Sequence, residues 1–524
     1  MKKSITLMYK RKAVVGNLLL IFTCIFAMHA CKHQPTPSSS ETKDSIITKG
    51  KNLATLYCGS CHMYPDPSLL DKKTWAESVL PNMAPHLGIF KVSNHFYPSS
   101  RGDHNLPGNY YPDSPMISVD QWKTIEKFYV ENAPKVLTIP ERSKPIHMGI
   151  PLFSASTPSW KFATPTVSFV KVRTSDLLVC DVLSKKLFRL DKQLRLIDSL
   201  KTSGPIVDIE TKNNRMLACN IGVLNPNNGR FGRAEYISIG ANGKMKEDTT
   251  GLFGQLVRPV QVNSVDLNRD GIEDFLVCEF GYLIGGLSWM EGKKDGSFER
   301  HVLSNLPGAI KAYVRDENHD GLPDFWVLFA HGEEGIFLFL NKGNGKFDQQ
   351  EIIRFPPVYG SSYFELQDIN KDGFDDIIYT CGDNSDVSRI LKPYHGIYIF
   401  LNDGKNHFEM KYFFRMNGCY KAMARDFDGD GDLDIAAISF FADYTNHPEE
   451  GFVYLENNGN LNFEAYSIPE AQSGRWLTMD AGDIDGDGKT DLILGNFSLP
   501  PTLTHSQVDW SRGPFILQLR NNKK

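Results

Sequence analysis

Residues 58–62 of this 524-residue chain are Cys-Gly-Ser-Cys-His, and their spacing is the clearest chemical signal in the sequence. Two thiols two residues apart, followed at once by a histidine, form the C-x-x-C-H pattern of covalent haem attachment. Cys58 and Cys61 can each add to one haem vinyl group, and a neutral imidazole at His62 suits iron as an axial ligand. A redox-active cysteine pair is the alternative, but the flanking sequence lacks the strand–helix alternation of such pairs. The motif predicts one covalent haem c.

The elements that would position this motif are helices. Residues 47–57, 71–80 and 119–130 carry apolar side chains at helical spacing. The last segment has an aromatic-rich stripe, made of Trp122, Ile125, Phe128 and Tyr129. A helix leading into the motif and an aromatic helix at the end of the segment resemble the class I cytochrome c domain. The resemblance implies a small all-α haem domain over residues 46–134 and a function in electron transfer.

The sixth ligand of the iron has several candidates. A methionine thioether opposite His62 is usual in electron-transfer cytochromes and raises the reduction potential. Met83 follows the 71–80 helix and is the preferred candidate, and Met116, just before the last helix, is the alternative. His86 or an open position are further possibilities, and a histidine there would lower the potential.

The N-terminus has the features of an export signal. Basic residues up to Lys12 precede an apolar stretch over residues 13–27, which is short for a membrane span. The following Ala30-Cys31 pair resembles a bacterial lipoprotein cleavage site, so residues 1–30 are predicted to be a lipoprotein signal peptide and Cys31 the lipidated residue. An ordinary signal peptide or a retained anchor is the alternative. Residues 31–45 are expected to be a flexible tether, and the protein to be exported and lipid-anchored to the cell envelope, on its periplasmic or cell-surface side.

Five nine-residue segments in the rest of the chain share one pattern. Each has an oxygen-bearing side chain at positions 1, 3, 5 and 9 and a glycine at position 6. Hard oxygen ligands at alternate positions of a tight loop suit Ca²⁺, so up to five calcium ions are predicted, with the fullest acidic sets in the last two segments. The segments lack the helices and the position-12 Glu of an EF-hand. The candidate ligands are Asp266, Asn268, Asp270, Asp274, Asp316, Asn318, Asp320, Asp324, Asp368, Asn370, Asp372, Asp376, Asp426, Asp428, Asp430, Asp434, Asp483, Asp485, Asp487 and Asp491.

Each acidic segment is followed by an apolar strand, and in three units a second strand then leads into a hairpin with an Asn-Gly, Asp-Gly or Lys-Gly turn. This unit resembles the FG-GAP, or VCBS-type, repeat of the integrin α propeller. The resemblance implies a seven-bladed all-β propeller over residues 151–524, joined to the haem domain by a linker over 135–150. Two degenerate units, near 166–190 and 206–219, complete the count of seven, and residues 152–156 are predicted to supply the last strand of the final blade.

Composition limits the remaining possibilities. The net charge is −5, and no basic cluster indicates nucleic-acid binding. Five cysteines without tight spacing do not form a disulfide framework and are expected in buried cores; they are Cys180, Cys219, Cys278, Cys381 and Cys419.

The predicted function is therefore electron transfer by a membrane-tethered c-type cytochrome whose propeller docks a redox partner protein or binds a glycan or protein ligand. A propeller dehydrogenase that uses the haem as electron acceptor, and a surface module that binds glycan or protein, are the alternatives. No set of side chains stands out as catalytic. Four scattered polar residues are interpreted as ordinary hydrogen-bonding groups; they are Arg258, His301, His331 and Arg475.

Overall fold

The computed structural model describes residues 43–212, 215–248, 252–385, 387–500 and 506–523. The predicted signal peptide, the lipidation site Cys31 and most of the predicted tether lie outside the described residues. Residues from Lys43 to Lys524 form one compact unit. Within the described part of the chain, no helix has both the length and the apolar character needed to cross a bilayer.

The first part of this unit is helical. A long helix, Lys43–Tyr57, leads to the C-x-x-C-H motif, and a second, Val119–Asn132, starts at a Ser118–Gln121 capping box. The predicted helices at 47–57 and 119–130 are thus confirmed, although the first begins earlier than predicted. The helix predicted over 71–80 is also confirmed: Asp71 caps its start, and the helix continues through a wider π-helical turn, Trp75–Val79, as far as Met83. The remaining elements are Pro67–Leu69, Lys72–Thr74, Trp75–Val79, Leu80–Met83, Ala84–Leu87 and the short strands Lys91–Val92 and His95–Phe96.

Seven sheets form a seven-bladed β-propeller, as predicted; their strands pair antiparallel, except that Ile146–Met148 is added parallel to Phe463–Ser467. We number the blades in chain order. The strands of the first two blades are, in blade 1, Val167–Val172, Leu177–Asp181, Lys186–Leu190 and Leu196–Lys201, and in blade 2, Ile206–Lys212, Arg215–Asn220, Gly232–Ile239, Met245–Glu247 and Phe253–Leu256. The next three blades have four strands each: in blade 3, Pro259–Val265, Asp274–Glu279, Gly286–Gly292 and Phe298–Ser304; in blade 4, Ala309–Arg315, Asp324–Phe329, Gly335–Asn341 and Phe347–Arg354; and in blade 5, Ser361–Gln367, Asp376–Cys381, Gly396–Asn402 and Phe408–Arg415. Blade 6 has Cys419–Arg425, Asp434–Ser439, Phe452–Asn457, Phe463–Ser467 and the added Ile146–Met148, and blade 7 has Trp476–Gly482, Asp491–Asn496, Ile516–Asn521 and Phe153–Ser156. Short helical turns lie at Pro448–Gly451, Pro469–Ser473 and Trp510–Arg512.

The second strand of each blade has an apolar sequence that suits its position in the interior. These strands are buried on both faces, which requires nearly continuous apolar sequence, and Asp274–Glu279 and Asp376–Cys381 show this along their whole length. The five cysteines expected in the cores are buried free thiols, as predicted.

The ring of blades is closed by a strand from the N-terminal side of the propeller. Phe153–Ser156 pairs antiparallel with Ile516–Asn521, so blade 7 combines strands from both ends of the repeat region. The prediction that residues near 152–156 complete the last blade is confirmed. Closure in this way gives blade 7 its full set of four strands.

Phe153 should therefore be important for stability. Its buried ring packs against Phe427 and Tyr454, with centroids 5.8 and 5.7 Å away. Phe153→Ala leaves a cavity at the closure, and we expect the free energy of unfolding to fall by about 3–5 kcal/mol in urea titrations. Phe374→Ala is the control, because the Phe374 side chain is exposed and its loss should cost less than about 1 kcal/mol. Equal losses in both variants would contradict the role given to the closing strand.

The loops of the propeller gather at two opposite ends. In every blade the first and second strands join at one end, which we call the acidic-loop end because all five acidic segments lie there. The second and third strands join at the other end. The helical segment contacts loops of this second kind, since Tyr394 Oη donates to Leu69 O at 3.0 Å and Asn228 Nδ2 donates to Asp103 Oδ2 at 2.8 Å. The C-x-x-C-H segment therefore caps the end opposite the acidic loops.

Candidate functional site

The C-x-x-C-H motif lies directly after the first helix. The backbone N–H of Cys58 continues the helical pattern by donating to Ala54 O at 2.9 Å. Cys58 is half-buried against the helical core, whereas Cys61 is exposed, and both thiols are free. Nδ1 of His62 lies 2.9 Å from the backbone oxygen of Met63. Because a carbonyl can only accept, Nδ1 must carry the proton, which leaves the Nε2 lone pair available to a metal.

These residues fit a covalently bound haem better than a redox-active cysteine pair. Burial raises the pKa of the Cys58 thiol to about 11, whereas disulfide exchange requires a thiolate near neutral pH. Apolar side chains next to the motif are also exposed, with Leu56 at 63% and Met63 at 40%. An apolar macrocycle attached at the motif would give such side chains a partner.

The candidate sixth ligands occupy different environments. Met83 is half-buried and packs against the helical core, whereas Met116 is 52% exposed. His86 lies beside Tyr110 and Tyr111, with ring centroids 5.7 and 5.3 Å away. Burial lowers the pKa of His86, and the charge of His62 lowers it further. His86 is therefore neutral at pH 7 and lies within electrostatic range of the predicted proximal ligand.

The core of the helical segment is completed by loops of blade 5. Val358, Tyr359 and Tyr394 pack against the same apolar cluster as Trp75 and Trp122. The rings of Tyr359 and Tyr394 are stacked with centroids 4.5 Å apart, and Ser78 Oγ donates to the backbone oxygen of Val387. The segment that carries the haem motif is therefore held to the propeller by apolar packing as well as by hydrogen bonds.

A buried carboxyl lies behind this contact. Glu334 in blade 4 accepts hydrogen bonds from Ser361 N at 2.8 Å, Ser361 Oγ at 2.6 Å and Gly360 N at 3.2 Å. Burial nevertheless raises the pKa of Glu334 from 4.5 to about 7. The folded protein thus binds this proton more tightly than the unfolded chain does.

Glu334→Gln should for this reason change the pH dependence of stability. Since the pKa of Glu334 is raised in the folded state, its stabilising contribution is complete below pH 4.5 and is lost as the pH rises through about 7. We expect the free energy of unfolding of the wild type, relative to Glu334→Gln, to fall by about 2–3 kcal/mol over this interval. Urea titrations at several pH values measure the difference. A difference that stays constant with pH would contradict the raised pKa.

The acidic loops are held by their own backbone. In each loop the glycine N–H at position 6 donates to the carboxylate at position 1, at 2.8–3.0 Å. The Asp at position 9 is buried and bridges the loop to the third strand of its blade. Asp434, for example, accepts from Phe427 N at 3.3 Å and Asn457 N at 2.8 Å. The turn of each loop is thus fixed by hydrogen bonds within the chain.

Several oxygens in these loops lack the partners that a cation would provide. Oδ1 of Asp266 and Oδ1 of Asp316 are buried without a hydrogen bond, which is costly for a carboxylate. In blades 6 and 7, carboxylate oxygens from positions 1, 3 and 9 lie within 4.8 Å of one another. Burial raises the pKa of Asp434 to about 6. The donor set fits Ca²⁺, with Asp426, Asp428 and Asp434 in blade 6 and Asp483, Asp485 and Asp491 in blade 7 as the closest groupings.

The loops of blades 3, 4 and 5 differ at position 3, where an Asn replaces the Asp. Its amide donates to the position-5 carboxylate in each case, at 3.3 Å from Asn268, 3.0 Å from Asn318 and 2.8 Å from Asn370. An ion entering these loops has one carboxylate fewer to bind. The predicted order of affinity, with blades 6 and 7 strongest, follows from this difference.

The other polar residues that the sequence singled out have structural contacts. Arg475 is fully buried and donates to the backbone oxygens of Phe440 at 2.9 Å and Leu499 at 2.6 Å. Arg258 donates to Leu224 O at 2.8 Å. Both side chains link loops of neighbouring blades.

His301 belongs to a cluster that resembles a metal site in composition. Its Nε2 lies 2.7 Å from Glu291 Oε2, and Glu299 is adjacent. However, Lys293 Nζ already lies 2.7 Å from a carboxylate oxygen of each glutamate, so an ammonium group provides the positive charge. His331 stacks on Phe280, with ring centroids 5.9 Å apart.

Comparisons with known proteins agree with the blade architecture. The family model described as "FG-GAP-like repeat" matches residues 316–379 and 426–494. Integrin alpha-4 of Xenopus laevis is 28% identical over 166 residues, which is 29% of this chain and 15% of the relative, so the chain spans only a small part of that protein.

Two of the solved structures that this chain resembles are each about a tenth identical to it in sequence. Virginiamycin B lyase from Staphylococcus aureus is 11% identical, with a TM-score of 0.43 over 71% of this chain and 99% of the other. The N-terminal domain of Nup159 is 10% identical, with a TM-score of 0.42 over 73% and 98% of the two chains. The observed blades and the family match together identify FG-GAP-like repeats within the seven-bladed propeller of this chain.

Proposed function

We propose that this protein is a c-type cytochrome that transfers electrons and is tethered to a membrane through a lipid on Cys31. The observation that supports it most is the motif geometry: two free thiols follow the first helix, and the orientation of His62 leaves Nε2 available. A haem bound there supplies one-electron redox chemistry. The chain's own part is to attach the haem through Cys58 and Cys61, to orient His62 through the Met63 carbonyl, and to exclude water with the helical core.

For the sixth ligand we retain Met83, with Met116 as the alternative. Met83 packs against the helical core, whereas His86 is half-buried and close enough to His62 to interact with it electrostatically. This observation favours His86 as a third candidate. Ligand identity matters because histidine in place of methionine lowers the reduction potential.

The propeller is proposed to bind Ca²⁺ at its acidic loops and to dock a redox partner protein, or a glycan or protein ligand. FG-GAP-like repeats are consistent with docking. The ions would be structural, because each loop already joins two strands of its blade and the position-9 Asp is committed to backbone N–H groups. A dehydrogenase function receives no comparable support, since the polar residues considered for it have structural contacts.

A visible spectrum of the exported protein tests the electron-transfer proposal. We expect sharp α and β bands on chemical reduction, reversibly lost on oxidation. The ligand variants Met83→Ala, Met116→Ala and His86→Ala should then separate the candidates, because removal of the true sixth ligand changes the reduction potential and the low-spin ferric spectrum. Exported protein that lacks haem bands after expression with haem-attachment machinery would overturn the proposal. Haem reduction by an added sugar or alcohol alone would favour the dehydrogenase alternative.

A further inference from the structure

The first strands of all seven blades share an irregularity near their start. In each one the pairing register shifts by one residue against the neighbouring strand. Such β-bulges re-aim side chains and are frequent beside functional sites. The first strands surround the axial channel of a propeller, so the residues just after the shift form one level of its wall. They are Phe169, Asp208, Gln261, Lys311, Tyr363, Lys421 and Thr478.

Two lysines at this level flank one aromatic ring. Nζ of Lys421 lies 4.9 Å and Nζ of Lys311 lies 5.9 Å from the centroid of Tyr363. Lys311 Nζ also lies 5.0 Å from the ring of Tyr313, and Lys421 Nζ donates to Met479 O at 2.7 Å. A third lysine, Lys171 of blade 1, is two residues further along its strand. We call Lys171, Lys311 and Lys421 the channel lysines.

The channel lysines outnumber the carboxylates available to them. Lys171 pairs with Asp480 at 3.6 Å, and all three lysines act electrostatically on Asp208. Glu365, the other acidic residue near Tyr363, is already bound by Arg425 at 3.1 Å and by Ala424 N at 2.9 Å. Three ammonium groups therefore face two carboxylates, an excess of one positive charge.

Glu210 of blade 2 does not compensate that charge. It accepts from Ser264 N at 2.7 Å and lies near Lys212 on its own strand. Burial lowers the pKa of Lys421 to about 8, as expected where carboxylates do not fully compensate an ammonium group. An anion entering the channel would supply the missing negative charge.

One end of the channel is closed by apolar side chains. Loops of blades 1, 2, 6 and 7 meet there at the end that carries the helical segment, and Arg475 lies over the ring of Phe440 at 3.6 Å. The residues of this plug are Phe440, Phe441, Phe497, Val182, Leu224, Tyr420, Leu477 and Leu499. Towards the acidic-loop end the strands become more accessible, and the side chain of Lys171 is 39% exposed. The channel is therefore a pocket that opens at the acidic-loop end.

We propose that this pocket binds a small organic carboxylate, held by the channel lysines beside the rings of Tyr313 and Tyr363. The single uncompensated charge matches one carboxylate group. The aromatic rings provide apolar surface for the rest of a small organic molecule. The residues of the site are separate from the haem motif and from the acidic loops.

Competition with lysine acylation tests the proposal in the full-length protein. The haem-loaded protein is treated briefly with an amine-acylating reagent at constant ionic strength, in chloride, acetate or succinate, and modification is measured residue by residue by mass spectrometry. At carboxylate concentrations that occupy about two-thirds of the site or more, we expect acetate or succinate to slow acylation of Lys311 and Lys421 at least about threefold relative to chloride, because only the unoccupied fraction reacts. Acylation of the exposed Lys405 should not change.

Two variants complete the test. Lys311→Met removes one positive charge and keeps the length of the side chain, so the carboxylate concentration that half-protects Lys421 should rise about tenfold. Lys294→Met, on the exposed outer hairpin of blade 3, should leave it unchanged. Any one of three results would overturn the proposal. They are protection by chloride equal to that by the carboxylates, protection of Lys421 that is unchanged in Lys311→Met, and no protection by either carboxylate. Because the readout is acylation of the folded wild type, the last outcome does not depend on how well a variant folds.

Discussion

Replacing Cys58 and Cys61 together by serine should abolish covalent haem in the exported protein. The two thiols are the only described cysteines outside the buried propeller cores, and each would form one thioether to the haem. After extraction with acidified organic solvent, haem should stay with the wild-type polypeptide and leave the double variant completely. Single Cys58→Ser or Cys61→Ser variants should retain at most one thioether bond to the haem. The loss of a thioether shifts the absorption of the complex that the haem forms with pyridine.

Ser60→Ala is the matched control, because Ser60 is exposed between the two cysteines and only its hydroxyl is lost. It should retain haem at the wild-type level. His62→Ala should attach less haem or none, and any haem attached should be high-spin, since the axial imidazole is missing. Covalent haem in the Cys58→Ser/Cys61→Ser protein would show that attachment occurs elsewhere and would refute the site.

The second large effect is expected from calcium. A ligand that binds only the folded state stabilises it by an amount that grows with concentration, about 2.7 kcal/mol per site at a hundredfold excess over the dissociation constant. Chelation should therefore lower the melting temperature of the propeller, and readdition of Ca²⁺ should restore it. Asp426→Asn/Asp428→Asn and Asp483→Asn/Asp485→Asn should each remove a large part of this shift, because their loops bring carboxylate oxygens from positions 1, 3 and 9 closest together.

Asp403→Asn controls for the loss of an acidic residue. Asp403 lies in the outer hairpin of blade 5, pairs with His407 at 3.0 Å and is not in an acidic loop. The change in melting temperature that calcium causes in Asp403→Asn should equal the change in the wild type. An identical melting temperature in chelator and in Ca²⁺ would contradict the calcium proposal while leaving the haem proposal intact.

Local sequence patterns were sufficient to predict the propeller. The nine-residue acidic loop, the apolar strand after it and the Gly-containing hairpin are short-range signals, and their repetition predicted seven blades. The closing strand Phe153–Ser156 was predictable because the last unit lacked a strand and residues 152–156 precede the first unit. Helix ends and regularity were less accurate, because the start at Lys43 and the π-helical turn Trp75–Val79 depend on packing.

Long-range features were not predictable from the sequence. The contacts of Leu69 with Tyr394 and of Ser78 with Val387 join residues more than 300 positions apart, and no local pattern indicates them. The channel lysines lie in strands of ordinary composition. Only the common register shift aligns Lys311 with Lys421, and a bulge leaves little trace in the order of apolar and polar residues. A side chain with a polar group at the same position of six of the seven inner strands would have been the available signal.

The intact mass of the exported protein tests the central claim most directly. The protein is produced together with haem-attachment machinery, denatured and measured by mass spectrometry, and the peptide that contains residues 58–62 is then sequenced by fragmentation. The account predicts a mass increase of one haem per chain, carried entirely by the peptide with Cys58 and Cys61. A polypeptide mass without haem, or a haem on any other peptide, would contradict it.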